Sequence, residues 1–362
     1  MVLPPYLTLP NDHYAHAGAP AERWRHVGTL RCGARRFGFE VIAARVHGAA
    51  QPALLASMTV TDVSAARQYH KTAWRDWTLD WAQSDPGQPW TVLIGAGGDD
   101  GALALRAPLH DPLDMMLEAS FVDAATGKPV RIRLRLSQQR VPMLAWGTGR
   151  SSWPAGPDGR PPLERYRYAY ALTDLKASGT LHIGAERLQV SGLTWMDHEY
   201  GAAPQDGPWL RQDMQLSNSI RIVNEYRIAD APVANRPAPS QATVLWPDGN
   251  TTVEDSRTTL RMPTWTSPAT GIVYFPHVTV EIPGLQAKIE VTSAIPEQEL
   301  FALQVRAAMH GSVANAEGVF EGGSSSGTAW NGQQLACAAA ADGGRGLAAP
   351  QAQASGQRCS IV

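Results

Sequence analysis

The chain has 362 residues, enough for two domains of ordinary size, and a formal net charge of −2 that makes no electrostatic case for nucleic acid or an anionic membrane. Its 12 Trp, 27 Pro and 33 Gly mark a β-rich globular composition. The 3 cysteines, Cys32, Cys337 and Cys359, lie too far apart for a disulfide framework or a spaced metal site.

In chain order, the amino terminus lacks the basic-then-apolar pattern of a signal peptide, and no segment is apolar for long enough to span a bilayer. The expectation is a cytoplasmic protein without integral membrane contact, or a periplasmic or secreted one if a signal was removed. His13 and His16, three residues apart, with His26 further on could suggest a metal, but no His-Glu-x-x-His pattern is present and the pair lies in a Pro/Gly-flanked start, so no metal is expected. Arg36–Arg45 sets Phe37, Phe39, Val41 and Ala43 on one strand face, and Leu54–Asp62 is a second strand. Trp74, Trp77 and Trp81 fit a helical stripe, although Trp77, Leu79 and Trp81 also alternate as loop plus strand. Trp90–Ile94 is a strand; the Gly-rich run 95–101 after it misses the dinucleotide fingerprint and reads as a turn. Met115–Val122 is followed by the clearest strand, in which Val130, Ile132, Leu134 and Leu136 alternate with Arg131, Arg133 and Arg135.

Residues 142–162 and 231–240, rich in Gly, Pro and Ser, read as loops. Between and beyond them strands are predicted at Tyr166–Leu172, Leu181–Ile183, Leu188–Met196, Trp209–Leu216, Ile220–Ile228, Gln241–Trp246, His277–Ile282, Ala287–Thr292 and Leu300–Ala307. From Gly322 onward small and polar residues accumulate without a period, which predicts a weakly ordered tail. The Gly-x-Ser-x-Gly run at 323–327 lies there without a strand–helix context and reads as a chance match to a nucleophile elbow.

The densest chemistry is in Ser191–Gly201, where Asp197, His198 and Glu199 close an apolar run. On a strand, Trp195, Asp197 and Glu199 share one face, and Met196, His198 and Tyr200 the other. The two carboxylates then stand roughly 6.5–7 Å apart at Cα. On a buried face one would be raised in pKa at the other's expense; a solvated strand end is the equal alternative.

These residues resemble the carotenoid 1,2-hydratase and AttH superfamily. The likeness rests on Tyr168-Ala169-Tyr170, on Ser178-Gly179-Thr180-Leu181, and on the signature Gly192-Leu193-Thr194-Trp195-Met196-Asp197-His198-Glu199-Tyr200-Gly201. Weaker echoes run from Leu9–His13 to the closing segment Gly311–Glu321. The block Glu22-Arg23-Trp24-Arg25-His26 departs from the family's Glu-Trp-Trp-Tyr, and Glu321-Gly322-Gly323-Ser324 lacks the closing tyrosine, which marks a divergent member.

The resemblance implies an all-β protein of two packed lipocalin-like β-barrel or β-sandwich domains of antiparallel strands. We expect them at 1–185 and 186–325, with the tail at 326–362. It also implies a cofactor-free enzyme that hydrates, dehydrates or cyclises an apolar terpenoid, polyene or polyketide-like substrate, by the chemistry of a hydratase or a cyclase. Asp197 falls on the catalytic-acid position, with His198 and Glu199 beside it. Trp195, Tyr200, Trp209, Tyr226, Tyr168 and Tyr170 are candidates to line the pocket and stabilise a cation. The alternative is a non-catalytic lipocalin-type carrier of a hydrophobic small molecule, which would keep Asp197 outside an apolar pocket.

Overall fold

Alternation holds residue by residue in the computed structural model: Val130, Ile132, Leu134 and Leu136 are buried and the arginines between them exposed. Residues 5–47, 52–95, 100–151, 161–202, 209–227, 233–302, 307–321 and 323–336 are described.

Eleven strands form the first sheet. They are β1 (Ala21–Cys32), β2 (Arg35–His47), β3 (Pro52–Asp62), β4 (Arg67–Asp76), β5 (Trp90–Ile94), β6 (Ala102–Ala107), β7 (Met115–Val122), β8 (Pro129–Gln138), β9 (Met143–Leu144), β10 (Arg167–Ile183) and β11 (Glu186–Gly201). Ten of them follow one antiparallel path, β4-β3-β2-β1-β11-β10-β8-β7-β6-β5, which curls into a nearly closed barrel, and β9 pairs with β10.

The second sheet holds β12 (Trp209–Leu216), β13 (Arg221–Arg227), β14 (Pro237–Leu245), β15 (Thr251–Arg261), β18 (His277–Ile282), β19 (Ala287–Ser293), β20 (Glu299–Ala302), β21 (Ala307–Phe320) and β22 (Gly323–Ala336); β16 (Trp265–Thr266) and β17 (Val273–Tyr274) pair with each other. The β19–β21 pairing closes eight of these strands into a ring, which removes their free edges.

Each barrel is filled by its own side chains. Trp24, Trp90, Phe37, Phe39, Met58 and Leu105 are fully buried in the first core, and Met214, Ile222, Val244, Tyr274, Val278 and Ile289 in the second. A third cluster joins the barrels: Val27, Met143, Ala171 and Trp195 of the first meet Val223, Leu245, Val313 and Trp330 of the second. A bulge at Leu172/Leu175 interrupts the β10 ladder, and Asp174 within it takes a bidentate ion pair from Arg221 at 2.9 and 2.6 Å, a second tie between the barrels.

Several boundaries differ from expectation. β11 belongs to the first sheet, so the division between sheets falls between Gly201 and Trp209 and not at 185. Residues 326–336, expected in the tail, complete the second barrel. Their small side chains permit close strand approach: a Cβ on Gly327 would stand 2.0 Å from the Gln215 carbonyl oxygen. The rest of the expected tail lies outside the described residues. Trp74 sits in strand β4 and Trp81 beside the Ala82–Val92 bridge, so the tryptophan stripe is strand and loop, not helix. β4, β6 and β15 were not predicted, and β14 begins at Pro237, inside the expected 231–240 loop. The expected 142–162 loop contains β9, a turn at Ala145–Gly147 and the start of a short helix, Pro162–Arg165.

Candidate active site

Strand register decides which groups meet the signature. β1 sets Arg25 opposite Asp197, Trp24 opposite His198 and Arg23 opposite Glu199; β10 sets Ala171, Tyr170 and Ala169 against the same three. The signature's final glycine is required by its backbone: Gly201 has φ 106°, and a Cβ there would stand 2.3 Å from the Tyr166 carbonyl oxygen. Trp195, Asp197 and Glu199 face the second barrel, and Met196, His198 and Tyr200 enter the first, as alternation requires.

On the junction face Asp197 is 4 % exposed and bonded to side chains from three strands. Its Oδ1 accepts from Trp195 Nε1 at 2.9 Å and Arg211 Nη2 at 2.7 Å, and its Oδ2 from Arg25 Nη1 at 2.9 Å. Arg25 also donates to Glu40 (2.7 Å) and Asp213 (2.8 Å), and Arg211 to Asp213 at 2.7 Å. Glu199 accepts from Arg23 at 2.8 Å and from Arg167 Nε at 2.6 Å. Four guanidiniums thus interleave with five carboxylates, the fifth being Glu225, which holds Arg211 loosely at 3.5 Å.

This network corrects the acid assigned to Asp197. Burial by itself would raise its pKa, but Arg211, Arg25 and the Trp195 N–H outweigh burial and hold it below its ordinary 3.8. Glu199, for which burial is again opposed by Arg167 and then Arg23, is held down to about 2. The guanidiniums that contact both carboxylates favour their ionised forms over the neutral proton donor that the signature suggested. Between them lies a cavity of about 20 Å³, lined by Met143, Trp146, Arg167, Asp197, Glu199, Arg211 and Glu225 among others. That volume admits a single water. Ala169 and Ala171, opposite the carboxylates on β10, leave the space.

On the other face His198 is fully buried. Trp24 stacks on it at 4.3 Å and Tyr170 meets it edge-on at 5.6 Å. Its Nε2 lies 3.1 Å from Glu22 Oε1 and its Nδ1 3.0 Å from the Asp12 carbonyl oxygen. Burial holds His198 below the usual imidazole value. Tyr200 donates to Asp12 Oδ1 at 2.9 Å and stacks on Tyr168, and Tyr170 OH hydrogen-bonds His13 Nδ1.

Of the expected site residues, Asp197, Glu199 and Trp195 converge at the junction, and His198, Tyr168, Tyr170 and Tyr200 gather inside the first barrel, with Tyr170 also bordering the cavity. Trp209 and Tyr226 do neither. Trp209 donates to Gln334 at 2.8 Å, and Tyr226 packs on the core of the second barrel. Sequence reasoning missed Asp12, His16, Glu22, Arg23, Arg25, Arg167 and Arg211. A signal was present in 22–26, where Glu22, Trp24 and His26 alternate with Arg23 and Arg25 on a strand.

Two antiparallel β-barrels joined by a buried, ion-paired junction define a lipocalin-like two-barrel protein. The chain belongs to the AttH-like family, whose model matches residues 2–322. Its fold is similar to a solved AttH-type structure from Nitrosomonas europaea, with a TM-score of 0.72 and 18 % identity over 92 % of this chain and 98 % of that one. It is also similar to kievitone hydratase from Nectria haematococca, with a TM-score of 0.69 and 12 % identity over 90 % and 92 % of the respective chains. No curated protein matches the sequence. Among the described residues no helix is long and apolar enough to cross a membrane.

Proposed function

We propose that this protein is an enzyme that adds or removes water at the barrel junction, acting on an apolar substrate whose double bond is conjugated to a carbonyl. The observation that carries this reading is the water-sized cavity walled by three carboxylates, Asp197, Glu199 and Glu225, and two guanidiniums, Arg167 and Arg211. An ionised pair cannot protonate an isolated alkene, which favours a polyketide-like substrate over a simple polyene. It can take a proton from water while a guanidinium stabilises the oxyanion that forms.

In the forward direction the water oxygen bonds to the β-carbon and one water proton passes to Asp197. Charge gathers on the carbonyl oxygen near Arg211 or Arg167, and the proton then moves to the α-carbon. Dehydration is the reverse. The same polarising cations would serve a cyclisation whose acceptor is a carbonyl-conjugated alkene. The loose Arg211–Glu225 contact, with Glu225 38 % exposed at its side chain, and the cation–π contact of Arg167 with Trp146 mark the side on which substrate would enter. Family membership and the kievitone hydratase-like fold support hydration chemistry in general.

The test incubates the wild type, Asp197→Asn and Glu225→Ala with α,β-unsaturated and β-hydroxy carbonyl compounds in isotopically labelled water, read by mass spectrometry. The wild type should incorporate solvent oxygen. Asp197→Asn should lose about a hundredfold or more in rate, and Glu225→Ala should change KM more than kcat. Failure of the wild type on both compound classes, or full activity in Asp197→Asn, overturns the reading.

A further inference from the structure

His16, Glu22 and His198 converge inside the mouth of the first barrel, on the opposite face of β11 from Asp197, and no step of the proposed reaction uses them. Their candidate donor atoms all lie within 4.8 Å of one another. His16 Nδ1 is 2.9 Å and His198 Nε2 3.1 Å from the same atom, Glu22 Oε1. The other nitrogen of each ring is also committed: His198 Nδ1 faces the Asp12 carbonyl oxygen at 3.0 Å, and His16 Nε2 faces the Asp12 carboxylate at 3.3 Å.

A neutral imidazole has one N–H to give. Each of these rings faces two oxygen acceptors, so each is one proton short, and the pair is short by two positive charges. Two protons would supply them as two adjacent imidazolium ions, with ring centroids 5.8 Å apart and His198 fully buried. That arrangement is costly, since burial penalises the second charge. One divalent cation supplies the same charge at a single point. If Asp12 accepts the N–H of both rings, the lone pairs of His16 Nδ1 and His198 Nε2 turn toward Glu22. This is the outer-shell arrangement that orients metal-binding histidines.

We infer that His16, Glu22 and His198 bind a divalent transition-metal ion of borderline softness, zinc foremost. Two imidazoles and a carboxylate are a donor set of that class. Bonds of about 2.0–2.1 Å to a tetrahedral ion place its ligand atoms about 3.3–3.4 Å apart, close to the 2.9 and 3.1 Å that separate Glu22 Oε1 from the two imidazole nitrogens. The rings are held in place: Tyr200 stacks on His16 at 3.4 Å and Trp24 on His198. Arg45 is the nearest competing cation. It stands 4.0 Å from Glu22 Oε2 and spends its hydrogen bonds on the carbonyls of His16, Ala17 and Ala19. His16 is the most exposed of the three ligands, so it lies on the side of the cluster nearest solvent. The ion would pin the segment around His16 to β1 and β11.

The experiment strips the full-length protein with a chelator and titrates it with zinc chloride, then with cobalt chloride, following calorimetry and the cobalt absorption spectrum. His16→Gln, at the rim, tests the site without emptying the core; Glu22→Gln tests the central ligand. The expected result is a single ion per chain, a cobalt spectrum of low coordination number, and affinity lowered roughly tenfold or more by His16→Gln. The melting temperature should rise with zinc in the wild type and much less in His16→Gln. Folded wild type that takes up neither ion at this stoichiometry overturns the inference, as does a folded His16→Gln that binds like the wild type. Neither result bears on the junction chemistry, which is read from product formation.

Discussion

Inside the second barrel, Asn224 Nδ2 donates to Gln212 Oε1 at 2.8 Å and to Thr258 Oγ1 at 2.9 Å, while Asn224 Oδ1 accepts from Ser256 at 2.8 Å and Gln212 Nε2 donates to Asn331 at 3.2 Å. Inside the first barrel, imidazoles, carboxylates and phenols cluster around Glu22 and His198. An amide carries donor and acceptor together, so a network of amides and hydroxyls closes on itself without charge. Imidazoles facing carboxylates close only when extra protons or a cation are supplied. The second barrel's polar core is therefore architecture, whereas the first barrel's core retains a chemical demand. The junction is a third case, in which the charges are present and almost balanced.

The largest expected effect breaks the junction. Arg25→Met removes the cation shared by Asp197, Asp213 and Glu40 and leaves them buried, so stability to urea should fall by about 3–5 kcal/mol. A loss under about 1 kcal/mol would mean that water already reaches these carboxylates.

Acid should separate the two barrels. His26 is fully buried, neither of its ring nitrogens has a hydrogen-bond partner, and burial pushes its pKa from 6.5 down to about 3. In the unfolded chain His26 takes a proton below about 6.5, while in the fold it does so only near 3. Stability is thus fully present above 6.5 and is lost as pH falls toward 3, by at most about 1.4 kcal/mol per pH unit. Hydrogen exchange at pH 7 and pH 5 should show protection lost first in the strands around His26, and His26→Leu should reduce that dependence, the fully buried His13 carrying a further share. Equal loss in the Asn224 network, which has no titrating member, would remove the contrast.

Asn224→Ala, which strands Gln212 and Ser256 in the second core, should cost about 1–3 kcal/mol with no dependence on pH or on zinc. At the bottom of the scale, Arg133→Ala loses an ion pair with Glu118 on the outer face, where the side chain of Arg133 is 63 % exposed. It should change stability by less than about 0.5 kcal/mol, as thermal melting would show.

Much of the fold was legible because strand alternation is a local property. β8, β2 and the two faces of Ser191–Gly201 could be read from period two and from which residues are apolar. β22 could not, because its glycines and serines carry no period; it is a strand only because β12 and β21 flank it. The candidate site was half legible. The separation of Asp197 and Glu199 from His198 and Tyr200 follows from alternation, but the ionisation of Asp197 does not.

The sequence by itself determined that the protein is all-β, which strand carries the dense chemistry, and which of its side chains share a face. The tertiary structure alone decided what each face meets. Arg25 reaches Asp197 across 172 residues and Arg211 reaches it from the other barrel, and together they turn an expected acid into a fixed anion. On the reverse face, Glu22 comes to His198 from 176 residues away. A carboxyl's pKa is set by the charges within a few ångströms of it, and strand register, not chain proximity, puts those charges there.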